Sequence, residues 1–132
     1  MNRTKSVVLG LAILAAVGFI YFLRGAPQHG DLKIVVPSLS PPAVQGLQIF
    51  ARNCSVCHGK NAAGSRRGPP LVHKIYEPSH HSDESFQRAA RNGVRAHHWP
   101  FGNMPRVQGV NREDVKKIII YVRELQRANG IH

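Results

Sequence analysis

The sequence predicts an all-α domain, and three observations carry that expectation. Apolar residues recur at helical spacing in three separate stretches, beginning near Pro41, Ser82 and Asn111. Each stretch opens on a residue able to cap a helix. No strand–helix alternation is visible, and the one short extended piece, Leu32 to Val36, has no partner strand. The chain has 132 residues, enough for one small domain and an extension.

The extension comes first. Arg3 and Lys5 precede Val7 to Leu23, a run of seventeen residues without a charge. Such a run lies near the short end of what spans a bilayer, with Tyr21 and Phe22 suited to the interface. A cleaved signal peptide is the competing reading. The apolar core, however, ends in Ile20-Tyr21-Phe22-Leu23-Arg24, and Pro27 follows Ala26, so no small-residue cleavage site follows it. Residues 1–24 are therefore expected to be a single uncleaved transmembrane helix, with Arg3 and Lys5 on the cytoplasmic side. Arg24 weakens that bias by one charge. Residues 25–40 contain Gly25, Pro27, Gly30 and Pro37 and read as a semi-stiff tether. Either it lets the domain move near the membrane, or it packs along it. The domain proper is residues 41–132.

The first helix of the domain is expected from Pro41, with Ser40 as N-cap and the two prolines in the first turn. Val44, Leu47 and Phe50 form the predicted apolar stripe, with Ile49 alongside. Gly46 permits close approach of another helix or of a bound group, or is simply tolerated. The helix runs into Cys54-Ser55-Val56-Cys57-His58, which reads C-x-x-C-H. Two thiols at this spacing suit the two vinyl groups of one porphyrin, and the adjacent histidine suits the iron's axis. These are the chain's two cysteines. A zinc site needs about four ligands and would have to recruit downstream histidines. A thioredoxin-like dithiol should sit in a βαβ pattern, which is missing. The reading is one covalent haem c, with Cys54 and Cys57 as thioether residues and His58 as the proximal ligand.

After the motif comes a polar, Gly-rich loop, Gly59 to Arg67, and then Gly68-Pro69-Pro70-Leu71. The paired prolines exclude helix, so a carbonyl of this segment is free to accept the Nδ1–H of the histidine ligand. An ordinary loop is the alternative. Ser82 to Asn92 is the next predicted helix: Ser82 caps it, Asp83 and Glu84 open it, Arg88 and Arg91 lie in its last turn, and Gly93 ends it. Phe86, Ala89 and Ala90 form a small apolar face. Asn103-Met104-Pro105 follows, and Met104 is the chain's one methionine besides Met1. On a loop stiffened by Pro105, its thioether is a candidate distal ligand. His97 and His98 are the competitors. The last helix has Asn111 as N-cap and Asp114 three residues on, an approximate capping box. Val115, Ile118, Ile119, Val122 and Leu125 keep a 3.6-residue period up to Asn129-Gly130.

Charge constrains the partners. The chain carries 18 Lys+Arg against 7 Asp+Glu, a formal net charge of +11. From residue 41 onward there are 14 basic and 6 acidic residues, a difference of +8. No nucleic-acid motif accompanies this charge, so nucleic acid is not expected as a partner. An acidic protein or an anionic membrane surface fits better.

Residues 41–130 resemble a class I cytochrome c of the small bacterial, membrane-anchored kind. The resemblance rests on Gly46 and Phe50 before Cys54-x-x-Cys57-His58-Gly59, on Gly68-Pro69-x-Leu71, and on Arg91-Asn92-Gly93-Val94. Asn103-Met104-Pro105 and Tyr121-Val122-x-x-Leu125 complete the order. It implies that the first and last helices cross and pack, that the domain wraps one haem, that the Pro69 carbonyl holds His58, and that Met104 is the distal ligand. It also implies a single-pass protein of the bacterial inner membrane with its haem domain in the periplasm. The expected function is one-electron transfer rather than enzymatic catalysis, alone or as a subunit of a larger oxidoreductase complex. The alternative is a catalytic or sensing haem protein with an open coordination position. Acidic redox proteins such as a quinol-oxidising complex, a terminal oxidase or a dehydrogenase would be its partners. Lys60, Arg66, Arg67 and Arg106 are the expected docking residues. The histidines His73, His80, His81, His97 and His98 depart from the family pattern. They read as solvated surface residues, a surface metal site or a pH-sensitive contact.

Overall fold

A computed structural model describes Phe19 and residues 33–132. Apart from Phe19, the expected anchor lies outside the described residues, as does the first half of the expected tether. Among the described residues no helix is long and apolar enough to cross a membrane. The described part is helical, without strands. Its helices are α1 (Pro41–Asn53), the single-turn α2 (Ser55–His58), α3 (Asp83–Asn92) and α4 (Arg112–Ala128). Two 3₁₀ turns, Lys60–Ala62 and Lys74–Tyr76, punctuate the stretch between α2 and α3.

Ser40 caps α1 through its hydroxyl, which accepts from the Ala43 amide at 3.4 Å, and Pro41 and Pro42 occupy the first turn. The predicted stripe holds at Phe50, with Leu47 and Ile49 packed against the core, but not at Val44. The face that α1 buries is Ala43, Gly46 and Phe50, while Val44 is 41% exposed and Leu47 half-buried. The reason is at Gly46. A Cβ there would lie 2.0 Å from the Lys117 carbonyl oxygen of α4. The helices therefore touch backbone to backbone at Gly46, and the seam runs on from Ala43 and Gly46 to Phe50. Gly46 serves the helix contact and is not merely tolerated.

α4 is the central element. Its start is a complete capping box: the Asn111 side chain accepts from the Asp114 amide at 2.9 Å and the Asp114 carboxylate from the Asn111 amide at 3.1 Å. Val115, Ile118, Ile119, Val122 and Leu125 are all buried, as the period predicts, and Tyr121 joins them. The rings of Phe50 and Tyr121 meet at 5.6 Å, tilted by 58°. Ala43, Phe50, Ala62, Leu71, Val72, Ile118, Tyr121, Val122 and Leu125 form one core.

Residues 33–40 do not hang free. Val35 exchanges hydrogen bonds with the Asn129 side chain at 3.0 and 2.9 Å. Ser40 donates to Glu124 from its amide at 3.0 Å and from its hydroxyl at 2.6 Å. Ile34 and Leu39 pack against the core. The described half of the tether thus lies along α4.

The segment between α2 and α3 is fastened by α4 as well. The Arg123 guanidinium is buried and donates to Asp83 at 2.9 Å, to the Tyr76 carbonyl at 2.7 Å, to Gln126 Oε1 at 2.6 Å and to the His81 carbonyl. It also lies 5.0 Å from the centre of the Phe86 ring. Gln126 Nε2 donates to the Leu71 carbonyl at 2.8 Å. This segment joins no strand, and its Leu71, Tyr76 and His81 carbonyls are met instead by two buried side chains. α3 begins after Ser82, whose side chain makes no capping bond; Ser85 Oγ donates to the Ser82 carbonyl at 2.6 Å instead.

A candidate haem site

α1, α2, α3, the loop after α3 and the first turns of α4 border a cavity of about 630 Å³. Its wall includes Phe50, Leu71, Phe86, Ala89, Ala90, Val115 and Ile118, so the lining is mainly apolar. Phe86, Ala89 and Ala90, the apolar face of α3, are half-buried, and they face this cavity. The volume suits a group of cofactor size.

The C-x-x-C-H motif stands at one wall. α1 ends where the Cys54 amide donates to the Phe50 carbonyl at 2.8 Å, and α2 turns the chain so that Cys54 and His58 both line the cavity. Cys54 and Cys57 are both free and half-buried. Burial, with the neighbouring Cys57 second, pushes the Cys54 thiol up to about 11, so its sulfur keeps its hydrogen at neutral pH.

His58 is buried, and its Nδ1 lies 2.9 Å from the Pro69 carbonyl. A carbonyl only accepts, so Nδ1 carries the hydrogen and the lone pair is left on Nε2. Burial lowers the pKa of His58, outweighing this hydrogen bond, and the ring is neutral near pH 7. A neutral imidazole with Nδ1–H tied to a carbonyl is the form that ligates a metal. The loop that bears the carbonyl is not a plain solvated turn. Ala62 is fully buried with φ of +56°, and its carbonyl accepts from the Leu71 amide at 2.8 Å. That bond fastens the stretch following Pro69 and Pro70 to the motif.

Met104 also lines the cavity. Its backbone is pinned by an antiparallel bridge: Met104 donates to the Val94 carbonyl and accepts from the Val94 amide, each at 2.9 Å. Gly93 makes that possible. Its φ is +78°, and a Cβ there would meet the Met104 carbonyl oxygen at 2.5 Å. Met104 is half-buried, whereas His97 and His98 are exposed although they too border the cavity. The His97 ring is turned toward its own loop, with Nδ1 donating to the Arg95 carbonyl at 2.8 Å.

The structure therefore brings Cys54, His58, Pro69 and Met104 to one cavity. It does not bring Lys60, Arg66, Arg67 or Arg106 there. These four are exposed, outside the lining. Arg66 and Arg67 lie just beyond Ser65, whose hydroxyl donates to the Cys57 carbonyl at 2.5 Å, which places their bend beside the attachment motif. The basic residues that do line the cavity are Arg88 and Arg95, which the sequence reading left out. The signal was available for Arg88. It lies two residues from Phe86 and one from Ala89, at the edge of the apolar face of α3.

These residues fit a haem: a neutral imidazole and a thioether as iron ligands, the two thiols of one C-x-x-C-H motif with Cys54 on the cavity wall, an apolar lining and two guanidiniums. A family model for cytochrome c matches residues 43–126. No curated protein and no solved structure matches the chain. The matched segment holds the motif, the Pro69 segment, Met104 and most of α4, so the chain belongs to the cytochrome c family and carries covalently bound haem c.

Proposed function

We propose that this protein is a mono-haem carrier of single electrons, with His58 and Met104 as the two axial ligands of the iron. The observation that carries the proposal is the pinning of Met104 by Val94 at the cavity that His58 also lines. With both axial positions supplied by the chain, no position is left for a substrate, which favours a carrier over an enzyme or a gas sensor. The haem supplies an iron that gains and loses one electron, with methionine ligation favouring a high potential. Everything else falls to the chain. Pro69 fixes the tautomer and direction of His58 through the 2.9 Å hydrogen bond. The bridge to Val94 holds Met104 without relying on its flexible side chain. Phe50, Leu71 and Ile118 keep water from the interior. Arg88 and Arg95 offer positive charge to the two carboxylates of the group.

Partners approach where the motif meets solvent. Val56, between the two thiols, is 63% exposed. Lys60, Arg66 and Arg67 are exposed in the following turn and bend. An apolar spot with a basic rim suits an acidic redox protein such as a quinol-oxidising complex, a terminal oxidase or a dehydrogenase. Residues 1–24 anchor the protein in the bacterial inner membrane, with the domain in the periplasm and residues 33–40 laid on α4. Recovery of the mature protein in the soluble fraction would remove the anchor from this account.

The ligand assignment is tested by substitution. Met104→Ala opens a coordination position, lowers the potential and lets carbon monoxide bind the reduced protein. His97→Ala and His98→Ala do none of these. A histidine variant that changes the iron spectrum, beside a Met104 variant that does not, overturns the assignment.

A further inference from the structure

Four histidines from two separate loops gather at the rim of the cavity. His80 and His81 precede α3, and His97 and His98 follow it. The ring centres of His80 and His81 are 4.7 Å apart, those of His80 and His98 5.4 Å, and those of His81 and His98 5.3 Å. The His97 ring adds a fourth, 4.2 Å from that of His98. One nitrogen from each of His80, His81 and His98 can be chosen so that all three lie within 4.8 Å of one another. Tetrahedral ligation at about 2.0–2.1 Å sets nitrogens roughly 3.4 Å apart. Small rotations of the exposed His80 and His98 rings close that difference.

One of the three is already held. His81 Nδ1 lies 2.6 Å from the Ile75 carbonyl, so it carries the hydrogen and leaves the Nε2 lone pair for a ligand. The buried Arg123 guanidinium fixes the same residue by donating to the His81 carbonyl. We propose that His80, His81 and His98 bind one divalent transition-metal ion of the zinc and copper class, separate from the haem iron. Three imidazoles without a carboxylate favour these ions over calcium or magnesium, which take oxygen ligands. Solvated surface histidines would have no reason to converge from two loops with one ring tied to a carbonyl. The proposal does not depend on the iron's ligands or on electron transfer.

The test uses the full-length holoprotein, stripped with a chelator and titrated with zinc ion alone in a calorimeter. One zinc per chain is expected, and zinc-edge X-ray absorption should fit three imidazole nitrogens at about 2.0 Å. His98→Ala and His80→Ala should each weaken binding at least tenfold, while His132→Ala, far along the chain, leaves it unchanged. The haem absorption spectrum of His98→Ala should match wild type, which also verifies that the variant is folded. Absence of saturable binding, or equal affinity in His98→Ala and wild type, overturns the site. So does a changed iron spectrum in His98→Ala, because that ring would then belong to the haem.

Discussion

Gly46→Ala is the substitution that most directly probes how the domain is built. The added Cβ would lie 2.0 Å from the Lys117 carbonyl oxygen, 2.5 Å from its carbon and 3.0 Å from the Ile118 nitrogen. All three atoms are backbone, so no side chain can swing aside. The helices must separate by about 1 Å to bring the closest contact to 3.0 Å. Overpacking of this kind costs roughly 1–3 kcal/mol, and a rigid backbone neighbour puts it near the top of that range. Against this, alanine gains about 1 kcal/mol of helix propensity over glycine. The net loss is about 2 kcal/mol. For a domain of this size that lowers the melting temperature by roughly 8–16 °C. Phe50 and Tyr121 meet along the same seam, so their contact loosens as well. The assay is thermal and guanidinium unfolding of the holoprotein, followed by circular dichroism. The thioether residues are untouched, so the haem stays attached and the comparison is fair. A variant as stable as wild type, or more so, would show that propensity outweighs the contact and that α1 and α4 do not touch backbone to backbone.

Arg123→Met keeps the stem of the side chain but removes the donors to Asp83, to the carbonyls of Tyr76 and His81, and to Gln126. A loss of about 2–4 kcal/mol is expected in chemical denaturation, because buried acceptors lose their partner; a change below about 1 kcal/mol would mean that the segment from Leu71 to Asp83 is held by packing alone. Electron-transfer rates with an acidic partner should fall as salt rises, since the screening length drops from roughly 30 Å at 0.01 M to about 8 Å at 0.15 M. Reversing Arg66 and Arg67 to Glu should slow the reaction and flatten that dependence without altering the absorption spectrum, and rates indifferent to both changes would leave the membrane tether as the source of encounter.

The elements legible in the sequence were those whose signals are local. The capping box of α4 and its apolar period survive intact because one face of that helix is buried from Val115 to Leu125. α3 was legible at its C-terminus, where Gly93 adopts a positive φ, but Ser82 does not cap as its identity suggests. The stripe of α1 was legible at Phe50, Leu47 and Ile49 but not at Val44, because hydrophobicity favoured Val44 while the contact with α4 is set by what a Cβ would strike at Gly46. Arg123 and Gln126 escaped notice for a related reason. A charged and an amide side chain on a helix read as solvated, and the carbonyls they donate to lie 42 to 55 positions away in sequence. The C-x-x-C-H motif was legible because its chemistry is rare and compact, and Met104 lines the same cavity. Arg88 and Arg95 were not, because only the folded chain tells which of many arginines face the cavity.

On the ligation we propose, the chain itself fills both axial positions of the iron, leaving a carrier closed to small ligands. Carbon monoxide added to the reduced wild-type holoprotein tests it most directly, because the gas binds ferrous iron wherever a position is open. The account predicts an absorption spectrum unchanged on addition of the gas at neutral pH. Rapid and stoichiometric carbon monoxide binding by the native protein would contradict it, and would turn the reading toward a catalytic or sensing haem in which Met104 does not hold the iron.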